Sequence, residues 1–192
     1  MLTDKQKKLL KNRFWRLNHL YKIKDKNGKC VTFKMTPEQL EYFDGMHDRN
    51  VILKARQLGF TTEVCIIQLD LAIFHRKECA LIAHTRPDAE RLFRNKTQFA
   101  YQRMTDDIKK ANPLVKETTS EYVFKNGGSV TVSTSFRGGT LYSLHVSEFG
   151  KICAKYPDKA KEIVTGAFEA VPLGGKITLE STAEGETVNN IV

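Results

Sequence analysis

The sequence has no long apolar run and no cysteine pattern. No apolar stretch approaches the roughly 20 residues that span a bilayer, and the first residues lead into no stretch of signal-peptide length. The cysteines include no C-x-x-C pair, so neither a zinc site nor a disulfide framework is indicated. We therefore expect a soluble intracellular protein without membrane contact. Its four cysteines should be small buried apolar residues, namely Cys30, Cys65, Cys79 and Cys153.

Internal repeats and low-complexity tracts are also missing, which argues against a fibrous or disordered chain. The chain has 192 residues, and 41% of them are apolar. This length and composition allow one domain with a sizeable core, together with a small appendage.

Positive charge is concentrated at the start of the chain. Residues 1–30 contain ten basic and two acidic side chains, which gives this segment +8 of the chain's net charge of +9. Because Phe14, Trp15 and Tyr21 lie among these charges, the segment is typical of one that follows a nucleic-acid backbone. The alternative is a solvated amphipathic helix that packs onto the body through residues at helical spacing. These are Leu9, Leu10, Phe14, Leu17 and Leu20. The two interpretations are compatible, and both stay open.

Beyond residue 50, apolar strands alternate with helices. Thr36 is a suitable N-cap for a helix that begins at Pro37, and Asn126-Gly127 is typical of a tight hairpin turn. The predicted strands are residues 51–53, 79–83, 122–124, 130–132, 144–146 and 177–179, and the other predicted helices are 3–22, 61–74, 88–104 and 158–170. Such alternation predicts an α/β fold with a mostly parallel sheet covered on both faces. Functional residues should follow the carboxyl ends of its strands.

The stretch Val51-Ile-Leu-Lys-Ala-Arg-Gln-Leu-Gly-Phe-Thr-Thr62 has the layout of a phosphate-binding loop between a buried strand and a helix. In the usual pattern, G-x-x-x-x-G-K-[ST], backbone N–H groups and the lysine surround a triphosphate while the hydroxyl holds Mg²⁺. Gly59 and Thr61 keep their register. Lys54, however, stands at the first glycine's position, and Phe60 stands at the lysine's position. The loop is therefore either a relocated-lysine variant or a coincidence.

A second pattern is Leu144-His-Val-Ser-Glu148, an apolar strand that ends at an acid. In nucleotide hydrolases such a strand ends in Asp-Glu, where the aspartate holds Mg²⁺ through water and the glutamate polarises the attacking water. Here Ser147 replaces the aspartate, so Glu148 is the candidate general base, and Mg²⁺ support falls to Thr61 and Ser147. Taken alone, Glu148 also fits an exposed loop glutamate. Its position between the phosphate loop and a third strand-end motif, Ser181-Thr182, favours a catalytic role.

Together these motifs resemble the ATPase domain of the large terminase subunit, the motor that packages DNA into phage and herpesvirus capsids. Residues 54–62 are similar to that family's R-Q-x-G-K-[ST] loop, and Ser181-Thr-Ala183 is similar to its S-T-[PA] coupling motif. Phe33 to Gln39 resembles its adenine-recognising segment. The resemblance covers residues 33–185 and implies a P-loop NTPase fold of the RecA-like, ASCE type.

The resemblance implies a role for each of these residues. Gln39 would read the adenine edge, Gly59 would let the backbone approach the phosphates, and Thr61 would bind Mg²⁺. Lys54 would supply the ammonium that the loop lacks, with Arg56 as the second candidate. The expected ATP-binding set is Gln39, Lys54, Ala55, Arg56, Gln57, Leu58, Gly59, Phe60, Thr61 and Thr62, and the coupling set is Ser181, Thr182 and Ala183. Of these, Phe60 should pack into the core.

Arg137 lies in the glycine-rich turn Ser135-Phe-Arg-Gly-Gly139, just before the strand that leads to Glu148. There it is a candidate catalytic arginine finger, which stabilises charge on the transferring phosphoryl group. The alternative is an exposed turn arginine. His84 and His145 are interpreted as core or strand-end histidines, because no metal-ligand partner lies at suitable spacing.

The resemblance also implies cofactors and partners. ATP and Mg²⁺ would be the cofactors, and double-stranded DNA, a portal protein, a small terminase subunit and a homo-oligomeric ring would be the partners, in the host cell cytoplasm. We expect a basic N-terminal helical segment over residues 1–32 and a P-loop ATPase domain over 33–192, truncated before a nuclease domain. Two rivals remain: a helicase-type DNA-dependent ATPase, and a non-hydrolysing DNA-binding or assembly module.

Overall fold

The computed structural model describes residues 4–136 and 138–182, so two of the predicted site residues, Arg137 and Ala183, lie outside the described residues. The helices are Asp4–Lys11 (α1), Arg13–His19 (α2), Pro37–Asp44 (α3), Phe60–His75 (α4), Arg86–Leu92 (α5), Phe99–Gln102 (α6), Asp106–Ala111 (α7), Phe149–Lys155 (α8) and Pro157–Glu162 (α9), with π-helical segments at Phe93–Gln98 and Ile163–Ala167. The strands are Lys22–Lys24 (β1), Cys30–Thr32 (β2), Arg49–Lys54 (β3), Glu78–Ile82 (β4), Leu114–Glu117 (β5), Glu121–Phe124 (β6), Ser129–Ser133 (β7), Ser143–Ser147 (β8) and Lys176–Thr182 (β9).

Seven of the described strands form the central sheet in the order β3-β9-β8-β4-β7-β6-β5, and β1 and β2 form a separate hairpin. Neighbours from β3 to β7 in this order are parallel, whereas β6 is antiparallel to both β7 and β5. Strand β9 is the last described strand along the chain but lies between β3 and β8. The carboxyl ends of β3, β8 and β9, where the predicted functional motifs lie, are therefore neighbours at one edge of the sheet.

Alternate side chains of the central strands are buried on opposite faces of this sheet. In β4, Cys79 and Leu81 pack on the face covered by α4, whereas Ala80 and Ile82 pack with α8 and α9. Helix α4 is apolar around most of its circumference because it is enclosed between the sheet and the N-terminal segment. The predicted mostly parallel sheet with helices on both faces is confirmed.

The N-terminal segment is part of this core. Leu17 and Tyr21 are fully buried, and the Arg16 guanidinium donates to Asp70 of α4 at 2.9 Å (Nε to Oδ1) and 2.7 Å (Nη2 to Oδ2). The Tyr21 hydroxyl donates to the same carboxylate at 2.8 Å. The segment therefore packs onto the body through Leu10, Leu17 and Leu20, as the amphipathic-helix interpretation predicts, whereas Phe14 is 45% exposed. None of the helices in the described ranges has the length and apolarity to cross a bilayer.

Several predicted element boundaries were wrong. The helix predicted over residues 3–22 breaks at Asn12, whose side chain accepts from Trp15 N and starts α2 afresh, and the chain is extended from Lys22. The helices predicted over 88–104 and 158–170 contain the two π-helical segments, and β1, β2, α7, β5 and α8 were not predicted. Ser181 and Thr182 lie within β9 rather than after it.

Two burial predictions also fail. Strand β3 was predicted to be buried, but its side chains Val51 and Leu53 are 68% and 64% exposed, because β3 pairs only with β9 among the described strands. Ile52, on the opposite face, is buried. Cys30 is exposed in the β1–β2 hairpin, whereas Cys65, Cys79 and Cys153 are buried as predicted.

Candidate active site

The phosphate-loop candidate connects the end of β3 to the start of α4. Gln57 and Gly59 have φ angles of 67° and 79°, and the left-handed conformation at position 59 favours glycine. A Cβ added to Gly59 would lie 2.9 Å from Gln39 Nε2. The neighbouring atom is the end of a side chain that can shift, so the predicted importance of Gly59 rests on its backbone conformation.

Gln39 holds the loop from the side of α3. Its side-chain oxygen accepts from Thr36 N at 3.0 Å in a capping box, and its Nε2 donates to the Leu58 carbonyl at 3.3 Å. The residue is buried. Gln39 therefore connects the segment that resembles an adenine-recognising element directly to the loop.

Within the loop, Ala55, Arg56, Gln57 and Leu58 are exposed, and Gly59 precedes the 16-residue helix α4 without a side-chain cap. Uncapped N–H groups at a helix start attract anions. Phe60 is buried and packs edge to face against Tyr42, with ring centroids 6.0 Å apart, which confirms its predicted core role. Thr62 is also buried.

Lys54 points into the site rather than into solvent. Its side chain is only 7% exposed, and its Nζ lies 3.0 Å from Glu180 Oε1 and 4.0 Å from Glu148 Oε1. The predicted cation and the predicted general base are therefore neighbours. Arg56 stays on the exposed part of the loop, so the geometry favours Lys54 as the ammonium nearest the acids.

Glu180, on β9, is a site residue that sequence reasoning missed. It is fully buried, Thr61 Oγ1 donates to its Oε1, and His145 Nε2 lies 2.8 Å from its Oε2. Burial on its own would raise the pKa of Glu180. The hydrogen bond and charge of His145, together with the Thr61 hydroxyl and the Lys54 ammonium, outweigh burial and lower the pKa to about 2. The available signal was an acid that directly follows the predicted strand residues 177–179 and directly precedes the predicted coupling residue Ser181.

Glu148 follows β8 in a left-handed conformation, with φ 56° and ψ 45°, and starts α8. Such a backbone is uncommon for a residue other than glycine and is concentrated at functional sites. The carboxylate is partly exposed, and its Oε2 accepts from Thr182 Oγ1 at 3.3 Å. Glu148 thus faces the loop side of the sheet edge and contacts β9, unlike an isolated loop glutamate.

The ends of β8 and β9 are joined by further hydrogen bonds. Ser181 Oγ accepts from Gly150 N at 3.1 Å and donates to the Thr182 carbonyl at 2.8 Å. Ser147 is buried, and its Cα is the register partner of the Glu180 Cα. The two described residues of the coupling motif are therefore in contact with the segment that carries Glu148.

His84, the second of the two histidines interpreted from the sequence, lies just after β4, and its Nε2 is 3.0 Å from Asp88 Oδ2. Desolvation, followed by the charge of Lys151, lowers the pKa of His84. In the described part of the chain, no group of three or more His, Cys, Asp and Glu side chains is arranged to hold a metal ion. The strand-end interpretation of His84 fits its place in the fold.

Beside the loop there is an open cleft of about 620 Å³. The β1–β2 hairpin forms its outer wall, and Gln39 and Gly59 lie on its inner side. Its other lining residues include an aromatic ring and several lysines, namely Phe33, Lys24, Lys26, Lys34 and Lys96. The basic N-terminal segment thus contributes positive charge next to the phosphate-loop candidate.

No protein-family model and no curated protein matches the chain. The solved structures that are similar to it include three phage proteins. They are the large terminase of bacteriophage HK97 (TM-score 0.62, 13% identity, 78% of this chain and 33% of that one), a variant of the large terminase ATPase domain of Thermus phage P74-26 (0.57, 14%, 83% and 68%), and the N-terminal domain of the DNA packaging ATPase from bacteriophage phi29 (0.52, 12%, 76% and 77%).

This chain spans about a third of the HK97 protein. In this chain, β9 lies between the strand that precedes the loop and the strand that leads to Glu148. At such low identity the similarity establishes architecture. The chain therefore has the P-loop NTPase fold found in the ATPase domains of phage large terminases.

Proposed function

We propose that this chain is the ATP-hydrolysing motor domain of a large terminase subunit, which moves double-stranded DNA into a viral procapsid. The observation that carries the proposal is the meeting of Lys54, Thr61 and Glu148 at one sheet edge, on the fold of phage packaging ATPases. These are the three kinds of group that a phosphoryl-transfer site needs: a cation, a metal-binding hydroxyl and a carboxylate that orients water.

In this proposal, Gly59 and the first N–H groups of α4 receive the phosphates, and Lys54 turns from the acids to the γ-phosphate. Glu148 orients a water molecule for in-line attack and accepts its proton. Thr182, which donates to Glu148 at 3.3 Å, passes the loss of the γ-phosphate to β9. Arg137 keeps its proposed role as an arginine finger.

Mg²⁺ suits this site because the side chains available for it carry oxygen donors. The hydroxyls of Thr61 and Ser147 would hold it, in keeping with the preference of Mg²⁺ for hard oxygen ligands and retained water. When bound, Mg²⁺ supplies positive charge that offsets the charge developing on the β- and γ-phosphates.

The proposed partners follow from the same function. Double-stranded DNA is the cargo, and a portal protein, a small terminase subunit and further copies of the chain in a ring would complete the motor in the host cell cytoplasm. One similar structure is a large terminase by name and another is a DNA packaging ATPase by name, which supports this assignment.

Glu148→Gln tests the proposal. The substitution keeps the side chain's size but removes its ability to accept a proton, so DNA-stimulated ATP hydrolysis should fall by at least about 100-fold, as expected for loss of a general base. ATP binding, measured by calorimetry, should stay within a few-fold of wild type. Hydrolysis at a near wild-type rate in the variant would contradict the assignment of Glu148.

The second candidate is a non-hydrolysing DNA-binding or assembly module. The ion pair between Lys54 and Glu180 supports this candidate. Lys54 is the only ammonium that the described loop directs into the site, and it is already paired with an acid. Calorimetry with ATP and Mg²⁺ separates the candidates, because the module should release no heat of binding and Lys54→Ala should change nothing.

A further inference from the structure

Glu180 occupies the place in the site where a phosphate-loop ATPase needs an acid. Its Oε1 accepts from Thr61 Oγ1, the hydroxyl expected to bind Mg²⁺, and lies 3.0 Å from Lys54 Nζ. The aspartate that usually performs this task ends the strand before the catalytic glutamate. That position is Ser147 in this chain.

The strand register explains how an acid on β9 reaches this place. Ser147 of β8 and Glu180 of β9 are Cα partners in parallel strands, so their side chains leave the same face of the sheet. Neighbouring strands are only about 4.8 Å apart, and a glutamate is one methylene longer than an aspartate. A carboxylate at 180 can therefore cover the space in front of position 147.

His145 fixes the orientation of this carboxylate from behind. It lies two residues before Ser147 on the same face of β8, and its Nε2 is 2.8 Å from Glu180 Oε2. Both side chains are fully buried. His145 thus holds Oε2 of Glu180, and Oε1 is directed at Thr61 and Lys54. This arrangement is expected of a carboxylate that supports a metal site.

We infer that Glu180 is the metal-supporting acid of this site and replaces, from the neighbouring strand, the aspartate missing at Ser147. Without nucleotide, Glu180 holds Thr61 and Lys54. When nucleotide is bound, Lys54 would be free to contact the phosphates, and Glu180 together with Thr61 would support the accompanying Mg²⁺. The inference rests on the proposed function, because it concerns the metal that accompanies ATP.

Calorimetry of ATP binding in Mg²⁺ and in EDTA tests the inference with a readout that does not depend on turnover. In wild type, Mg²⁺ should strengthen ATP binding. In Glu180→Gln this gain should shrink by about 10- to 100-fold, the usual effect of losing a carboxylate that orients a metal site. In EDTA the variant should bind ATP at least as tightly as wild type, because a negative charge facing the triphosphate is gone and Lys54 is released.

Two further variants make the test decisive. Glu148→Gln is the matched control, since it also neutralises a site glutamate but should keep the full gain from Mg²⁺. The double variant Ser147→Asp with Glu180→Gln returns a carboxylate to the usual strand and should restore that gain. Because the double variant keeps an acid near buried Lys54, it also tests the inference if Glu180→Gln alone does not fold.

The possible outcomes are distinguishable. Wild type that binds no ATP in either buffer contradicts the proposed function itself. Wild-type binding with an unchanged Mg²⁺ gain in Glu180→Gln overturns the inference, as does an equal loss of affinity in both buffers, which would indicate a purely structural role. A double variant that does not recover the gain also overturns it.

Discussion

At the scale of single residues, Glu63 is a buried acid that the proposed mechanism does not use and that, unlike Asp70, has no hydrogen-bond partner among the described residues. It lies in the first turn of α4, it is fully buried, and neither carboxylate oxygen has a hydrogen-bond partner among the described residues. Burial raises the pKa of Glu63 from 4.5 to about 9. The side chain is therefore protonated and neutral inside the protein at neutral pH.

This predicts a dependence of stability on pH that Glu63→Gln should remove. Above pH 4.5 the unfolded chain gives up a proton that the folded protein keeps, so the free energy of unfolding falls as the pH rises toward 9. By pH 7 the loss should be roughly 3 kcal/mol, at 1.36 kcal/mol per pKa unit. Urea unfolding from pH 5 to 9 should give curves for wild type and variant that converge at pH 5, with the variant more stable at pH 8. Parallel curves would contradict a raised pKa.

A residue's role could be recognised from the sequence when it depends on neighbours along the chain, and not when it depends on side chains from other elements. Thr36, Gly59 and Phe60 were predictable, because capping, positive φ and burial are dictated by neighbours along the chain. Glu180 was not, since its importance comes from the side chains of β8 and α4 that surround it. Glu148 lies between these cases: its place after an apolar strand was readable, whereas its contact with Thr182 depends on strand order.

At the scale of elements, α2 is fixed to α4 by one buried polar cluster. Arg16 lies between Asp70 and the Phe74 ring, with its guanidinium carbon 4.4 Å from the ring centroid, and it also donates to the Leu10 carbonyl at 2.7 Å. The N-terminal segment therefore packs through specific contacts as well as through its leucines.

Arg16→Ala should accordingly destabilise the protein. Removing the guanidinium leaves the buried Asp70 carboxylate without its closest cation, and the cost should be about 3 kcal/mol in the free energy of unfolding. Lys11→Ala is the matched control, because it removes an exposed cation from the same segment and should cost less than about 0.5 kcal/mol. Urea unfolding measures both. Equal losses would mean that the buried ion pair does not hold α2 to α4.

Long apolar elements were predictable and short ones were not. The pattern of α4 is dictated by sixteen residues that are almost all buried, so its type and position were correct. Helix α8 has seven residues and follows the left-handed Glu148, which provides no side-chain cap, so no capping residue marked its start. The π-helical segments interrupt helices whose apolar spacing gave no sign of an extra residue in a turn.

At the scale of the whole molecule, the positive charge of the N-terminal segment has two locations. Some of its lysines line the cleft beside the phosphate loop, and others lie on the exposed surface of α1. The segment cannot simply be deleted to test DNA binding, because Leu17 and Tyr21 belong to the core. A test of DNA binding must therefore neutralise lysines of this segment while the segment stays folded.

The triple substitution of Lys7, Lys8 and Lys11 by Gln does this. If α1 binds DNA, the slope of log affinity against log salt for double-stranded DNA should become shallower by about 0.9 for each phosphate that these lysines no longer neutralise. The control replaces three exposed lysines elsewhere, Lys110, Lys116 and Lys125, with the same change in net charge. Equal slopes in the two triple variants would assign the effect to net charge alone and dismiss α1 as a DNA-binding element.

The register between β8 and β9 has a consequence for how such proteins are recognised. Ser147 and Glu180 are 33 positions apart in the sequence but adjacent across the sheet. A search that reads residues along one strand finds a serine and scores the site as defective. A comparison that includes neighbouring strands finds the carboxylate of Glu180 beside Ser147. A residue missing from a linear motif is therefore best judged after its spatial neighbours have been considered.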